Sequence, residues 1–278
     1  MGAVCPCLGR GKEVEPLPSD ASGGDDQHGW CVMQNGRGAM EDAVDVQDGF
    51  FAVYDGHGGA EAVTYVKEAL PKLLGKEKGP DMGLRMKEAF QKADAALLGH
   101  LKQDEADVPD HLLSSGVCAC IAVRDEHELA VANLGDCRAL AYQGGSLTVM
   151  TKDHRPCEPF EKERLTKQGI QTTCDGYLAG GLAVSRALGD FTRSTWTKCP
   201  GLLSEPDVTV FSVDADTEFI LLASDGVFES MTNLDAVQSI RRQLRRTRSP
   251  QAAAESLLKQ AQKLKSTDNL SALVVVFR

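Results

Sequence analysis

Three short apolar runs in this chain end in an aspartate beside a residue that turns the backbone: Phe51-Ala52-Val53-Tyr54-Asp55-Gly56, Leu221-Leu222-Ala223-Ser224-Asp225-Gly226 and Leu134-Gly135-Asp136. A fourth aspartate, Asp268, directly precedes the last apolar run. An apolar strand is a rigid arm, so an acid at its tip is held in place, and several tips can converge at one edge of a sheet. Unpaired carboxylates crowded there repel one another by several kcal/mol per pair at intermediate dielectric. A hard divalent cation is the natural neutraliser. All-oxygen ligands, with neither cysteine nor histidine pairs at metal spacing, select Mg²⁺, Mn²⁺ or Ca²⁺ over zinc or copper. Glycine after Asp55 lets the backbone approach closely enough for the Gly56 carbonyl to reach an ion. A single Asp-Gly is ordinary turn chemistry; its repetition after buried-looking strands is what points to metal.

Two further residues could act on a phosphate held there. His57, two positions past Asp55, changes charge near neutral pH and can serve as a general acid. Arg37, in the turn before Met40-Glu41-Asp42, offers a planar fork for a pair of phosphate oxygens. The plainer readings are a structural histidine in a glycine turn and a solvated ion pair of Arg37 with Glu41 or Asp42, which is worth little.

The elements that must position these residues come in blocks. Residues 1–26 carry Gly, Pro, Ser and Asp with almost no apolar period and read as a tail that packs little; residues 27–278 read as the folded domain. Trp30 to Gln34 reads as a strand, Asn35-Gly36 as a hairpin turn, and Ala43 to Val46 as the returning partner. Phe50 to Tyr54 is the next strand. Helical periodicity covers 60–74 and 82–103, where Leu, Met, Ala and Phe recur at three- and four-residue intervals, for example Leu84, Phe90, Leu97 and Leu101. Val117–Val123, Leu129–Leu134, Arg138–Tyr142 and Leu147–Met150 then read as a meander of short strands. A short helix over Glu158–Lys167, ended by Gly169, and strands at Phe219–Ala223 and Leu273–Phe277 flanking helices at about 234–246 and 250–265 complete the pattern. Strict β-α-β alternation is absent, which favours antiparallel sheets with helices packed outside.

Composition excludes other classes. A formal charge of −10 opposes nonspecific binding to nucleic acid. Nine cysteines, an odd number without paired metal spacing, suit free thiols in a reducing compartment, cytosol or nucleus. No stretch approaches the roughly 18 apolar residues of a membrane span. The start Met1-Gly2-Ala3-Val4-Cys5-Pro6-Cys7 offers Gly2 as a myristoyl acceptor and Cys5 and Cys7 as palmitoyl sites, although Pro6 stands where the motif wants Ser or Thr. Arg241, Arg242, Arg245, Arg246 and Arg248 form a basic helical run, either a solvated face or a dock for an acidic partner. Monomer is the default, since no coiled-coil heptads are present.

Taken in order, Arg37-Gly38-Ala39-Met40-Glu41-Asp42, Tyr54-Asp55-Gly56-His57-Gly58-Gly59, Asn133-Leu134-Gly135-Asp136-Cys137-Arg138, Gly181-Leu182-Ala183-Val184-Ser185-Arg186-Ala187-Leu188-Gly189-Asp190, Ala223-Ser224-Asp225-Gly226 and Thr267-Asp268-Asn269 resemble the motif series of the protein phosphatase 2C family. The resemblance spans about residues 28–278. It implies an α+β fold, a four-layer α-β-β-α sandwich with two central antiparallel β-sheets, and a two-metal site for Mg²⁺ or Mn²⁺ at one end. By the same resemblance Asp55 bridges both ions, Asp225 and Asp268 complete one, Glu41 and the Gly56 carbonyl serve the other, and Asp136 matches a weaker third site. Asp42 would orient a water, Arg37 bind the substrate phosphate and His57 protonate the leaving seryl or threonyl oxygen. The implied reaction is hydrolysis of phosphoserine or phosphothreonine in proteins by a water bridging two ions about 3.5–4 Å apart.

Two departures stand out: Val117-Cys118 where the family usually has Ser-Thr, and Glu229 where it usually has Asp after Ser-Asp-Gly-x-x. The second bears on the third metal, because a longer side chain displaces its carboxylate. The segment from about 155 to 206 falls where the family's substrate-facing flap lies. Other readings of the acids are a pseudophosphatase kept as a binding module and a Ca²⁺-binding structural protein; the latter leaves Arg37 and His57 without a role.

Overall fold

The computed structural model describes residues 16–77, 81–102, 113–125, 128–178 and 181–277. Strands β4 (Phe50–His57), β5 (Gly116–Asp125), β13 (Thr217–Ala223) and β14 (Leu270–Val276) form the centre of two sheets. Successive side chains on a strand point to opposite faces, and here both faces are apolar. On β4, Ala52 and Tyr54 pack under helices while Phe51 and Val53 face the other sheet. On β13, Phe219, Leu221 and Ala223 face helices while Ile220 and Leu222 face inward. Strands buried twice read as continuous apolar runs, which is why these were legible without alternation.

One sheet runs β1 (Asp20–Gly24), β2 (His28–Met33), β14, β13, β7 (Arg138–Gln143), β8 (Ser146–Val149). The other runs β12 (Asp207–Ser212), β6 (Glu128–Leu134), β5, β4, β3 (Asp42–Gln47), with β9 (Leu188–Gly189) paired to β5. The ladders within both sheets are antiparallel. A small ribbon pairs β10 (Phe191–Thr192) with β11 (Thr197–Lys198). Helices α1 (Glu61–Leu74) and α2 (Met82–Leu101) cover the second sheet. A short α3 (Pro159–Lys167) lies in the segment between β8 and β12, α4 (Asp225–Phe228) follows β13, and α5 (Asn233–Thr247) and α6 (Pro250–Lys263) cover the first sheet. The layers are α-β-β-α, as the resemblance implies. Helix starts follow their sequence signals: Asp81 caps α2, Thr232 and Asp235 form a capping box on α5, and Ser249-Pro250 opens α6.

Several expectations fail in informative ways. The hairpin of 30–34 with 43–46 does not form: β2 pairs with β1 and β14, whereas β3 pairs with β4 in the other sheet. Asn35 does adopt the left-handed backbone of a turn (φ 53°), but its side-chain amide bonds the carbonyls of Ser266 and Asp268, so the turn opens into a crossover. The meander likewise splits after β6, because Gly135-Asp136-Cys137 carries the chain from one sheet to the other. The expected tail through residue 26 ends earlier, since β1 forms a full antiparallel ladder with β2; its small, half-exposed residues leave no apolar period to read. Leu84 is 54% exposed, off the buried face of α2, and the edge strand β12 went unanticipated. Gly2, Cys5 and Cys7 lie outside the described residues. Among the described residues no helix is long and apolar enough to cross a membrane.

Candidate active site

The crossovers and strand tips meet at one end of the sandwich. Asp55 sits on β4 opposite Asp42 of β3 and Cys118 of β5. Asp136 lies in the β6 to β7 crossover and Asp225 opens α4 directly after β13. One carboxylate oxygen from each of Asp55, Asp136 and Asp225 lies within 4.8 Å of the others. Burial pushes Asp55 far above the usual carboxylate range, and the neighbouring charges of Asp42, Asp225, Asp136 and Asp268 add to it. Asp225 is pushed up to about 8 by burial and by Asp136. Burial also raises Asp136, against the pull of Arg155. Asp42 is pushed up to about 7 by burial, even though Ser224 and Ser271 face it, and its buried Oδ2 has no protein partner.

These observations fit a hard divalent ion. The donors are oxygens, they face one another, and each resists ionising until a cation arrives. The backbone leaves room as well: a Cβ on Gly56 would stand 2.5 Å from the Glu41 carbonyl, so only glycine lets β4 pass this close to the Glu41 strand tip.

The remaining expected residues form a rim. Glu41 Oε1 accepts the Gly59 N–H at 2.6 Å, tying it to the loop after Asp55. Asp268 pairs with Arg37 through Nη2, and its Oδ1 accepts the Asn269 N–H at 2.7 Å. The ion-pair partner of Arg37 is therefore Asp268, remote in sequence, instead of Glu41 or Asp42. His57 Nε2 lies 2.9 Å from both oxygens of Asp190. Burial lowers the His57 pKa, but the hydrogen bond and charge of Asp190 outweigh it and leave the imidazole above its ordinary value. Gly116 makes room for this pair, since a Cβ there would meet Asp190 Oδ2 at 2.1 Å and His57 Nε2 at 2.4 Å.

Three contributors escaped sequence reasoning. Asn269 accepts the Glu41 N–H at 2.8 Å and donates to the carbonyls of Gln34 and Ala39, pinning the β2 to β3 crossover beside Asp268. Asp190, held at φ 57° and 2% exposed, is the partner of His57. Arg155 reaches both Asp136 and Asp225. The first two stand inside recognised motifs without a role of their own; Arg155 carried no local signal. Cysteine chemistry has no place here: burial first, then Asp136 and Asp55, drives the Cys118 thiol well above its ordinary range.

Residues 28–270 match the family model of Protein phosphatase 2C, and the chain belongs to that family. It is 35% identical over 234 residues to "Probable protein phosphatase 2C 2" of Oryza sativa subsp. japonica, a match covering 82% of this chain and 61% of the relative. The chain thus spans about three fifths of that relative's length. Among solved structures it resembles a serine-threonine phosphatase 2C from Toxoplasma gondii, with a TM-score of 0.71, 24% identity and coverage of 95% of this chain and 98% of that one. It also resembles the catalytic domain of the serine threonine protein phosphatase PstP in complex with 2 manganese ions, with a TM-score of 0.66, 21% identity and coverage of 90% and 97%.

Proposed function

We propose that this chain hydrolyses phosphoserine and phosphothreonine esters of protein substrates, with Mg²⁺ or Mn²⁺ held on the aspartate cluster. The observation that carries this reading is the meeting of the Asp55, Asp136 and Asp225 carboxylates within 4.8 Å, beside a guanidinium and an imidazole suited to a phosphate ester. Family membership and the manganese complex of the PstP domain support it.

Asp55, Asp225 and Asp268, with Glu41 and the Gly56 carbonyl, form the ligand set for two ions. When bound, such ions supply a water of lowered pKa and neutralise charge developing on the phosphoryl group. The chain's own residues do the rest. Asp42 offers its unpartnered Oδ2 to orient the attacking water. Arg37 presents its fork to phosphate oxygens, anchored meanwhile by Asp268. His57 has Nε2 engaged by Asp190, so the proton offered to the leaving oxygen is the one on Nδ1.

The test is phosphate release from a phosphothreonine peptide. Turnover requires Mn²⁺ or Mg²⁺, vanishes with excess chelator, and falls about a hundredfold or more in Asp55→Ala. Metal-independent turnover refutes the reading, and no turnover with either ion makes the chain a binding module.

A further inference from the structure

Beside the Asp55 cluster lies a second acidic corner made by Asp136, Asp225 and Glu229, and one cation already reaches into it. Arg155 Nη2 stands 2.9 Å from Asp225 Oδ2, 3.0 Å from Asp136 Oδ2 and 3.9 Å from Glu229 Oε1. The contact to Asp225 is a hydrogen bond and the contact to Asp136 an ion pair, both made by the same terminal guanidinium nitrogen.

The backbone beneath Arg155 is built to aim it. His154, fully buried, accepts the Gly135 N–H on Nδ1 at 3.1 Å and donates its own backbone N–H to the Gly135 carbonyl at 2.9 Å. On the other side of His154, Asp153 is gripped by Arg138 through two hydrogen bonds of 2.9 and 2.8 Å. The base of Arg155 is thereby lashed to the same crossover that carries Asp136. Its guanidinium is delivered to the acids by this frame, whereas Glu229, with its side chain half exposed, only flanks it.

A guanidinium at hydrogen-bond distance from both aspartates and a divalent ion cannot share that point. We infer that Arg155 is a built-in cation for this corner, holding the charge-balancing place that a further divalent ion would take and limiting the site to two ions. Arg155 is a positioning residue in the same act, since it holds Asp225 by Oδ2 at 2.9 Å. The inference rests on the reading that the aspartate cluster binds divalent ions, and goes beyond it in naming the side chain that keeps a third ion out.

Ion counting by equilibrium dialysis against Mn²⁺, with metal measured by mass spectrometry, tests it without recourse to turnover. The unaltered chain binds two ions per molecule up to millimolar Mn²⁺. Arg155→Met, shown to be folded by circular dichroism, binds a third, with an affinity at least tenfold above that of any third ion on the unaltered chain, and Asp136→Asn in that background returns the count to two. Arg155→Lys, which keeps a positive charge, stays at two. Should Arg155→Met fail to fold, Arg155→Gln, which likewise removes the charge, carries the same count. Three ions on the unaltered chain, two on folded Arg155→Met or Arg155→Gln, or a count other than two once Asp136→Asn is added overturn the inference. No bound ion on the unaltered chain would instead remove the metal reading itself.

Discussion

His57 and Asp190 show how a single pair can set the chemistry of a site. With Nε2 2.9 Å from both Asp190 oxygens and its pKa raised, the imidazole keeps its proton to higher pH than a free histidine. Asp190→Asn removes that support, so the alkaline limb of the kcat profile moves to lower pH; an unmoved limb would separate Asp190 from the acid. His57→Ala slows a phosphopeptide more than an aryl phosphate, whose leaving group needs less protonation, and equal losses on both would discard the acid role. At this scale the aspartates were legible because each ends or precedes an apolar run, a pattern visible within a few residues. Asp190, Asn269 and Arg155 act through partners 133, 228 and 70 positions away, and no local pattern encodes such pairings.

Elements raise a different difficulty. Strands and helices were readable, but the sheet each strand joins was not, because strands apolar on both faces look alike in either sheet. The crossover at 34–41 is held by Asn269 and by the bonds of Asn35 to Ser266 and Asp268, all from the far end of the sequence, and the one at 135–137 is held by His154. The segment between β8 and β12 has its own organiser. Glu161 of α3, fully buried, accepts from Arg164 at 3.0 and 2.6 Å, from Arg186 at 2.9 and 2.6 Å and from Ser185 at 2.8 Å. Burial pushes its carboxyl up, yet these bonds hold it below the usual range. Glu161→Gln leaves Arg164 without its carboxylate and Arg186 with Asp207 alone, and destabilises by about 3 kcal/mol. Urea denaturation reads this as a lowered midpoint at unchanged slope; an unchanged midpoint would make the network dispensable.

For the whole molecule, the raised acids link stability, protons and metal. Asp42 at about 7 and Asp225 at about 8 titrate near 3.9 in an unfolded chain. Between those limits the native state binds more protons, so their contribution is complete below about pH 4 and lost as pH rises toward 8. In chelator, the Tm therefore falls between pH 5 and 8. A fixed excess of Mn²⁺, competing with those protons, raises the Tm more at pH 8 than at pH 6. Equal increments at both would show that the acids and the ion do not share a site. The place of β14 between β2 and β13 has one more consequence, for the timing of synthesis. Asp268 immediately precedes that strand, which is the last of the described strands to leave the ribosome and the one that closes its sheet. A nascent chain therefore carries Asp55 and Arg155 long before it has Asp268 and the strand that fixes its place.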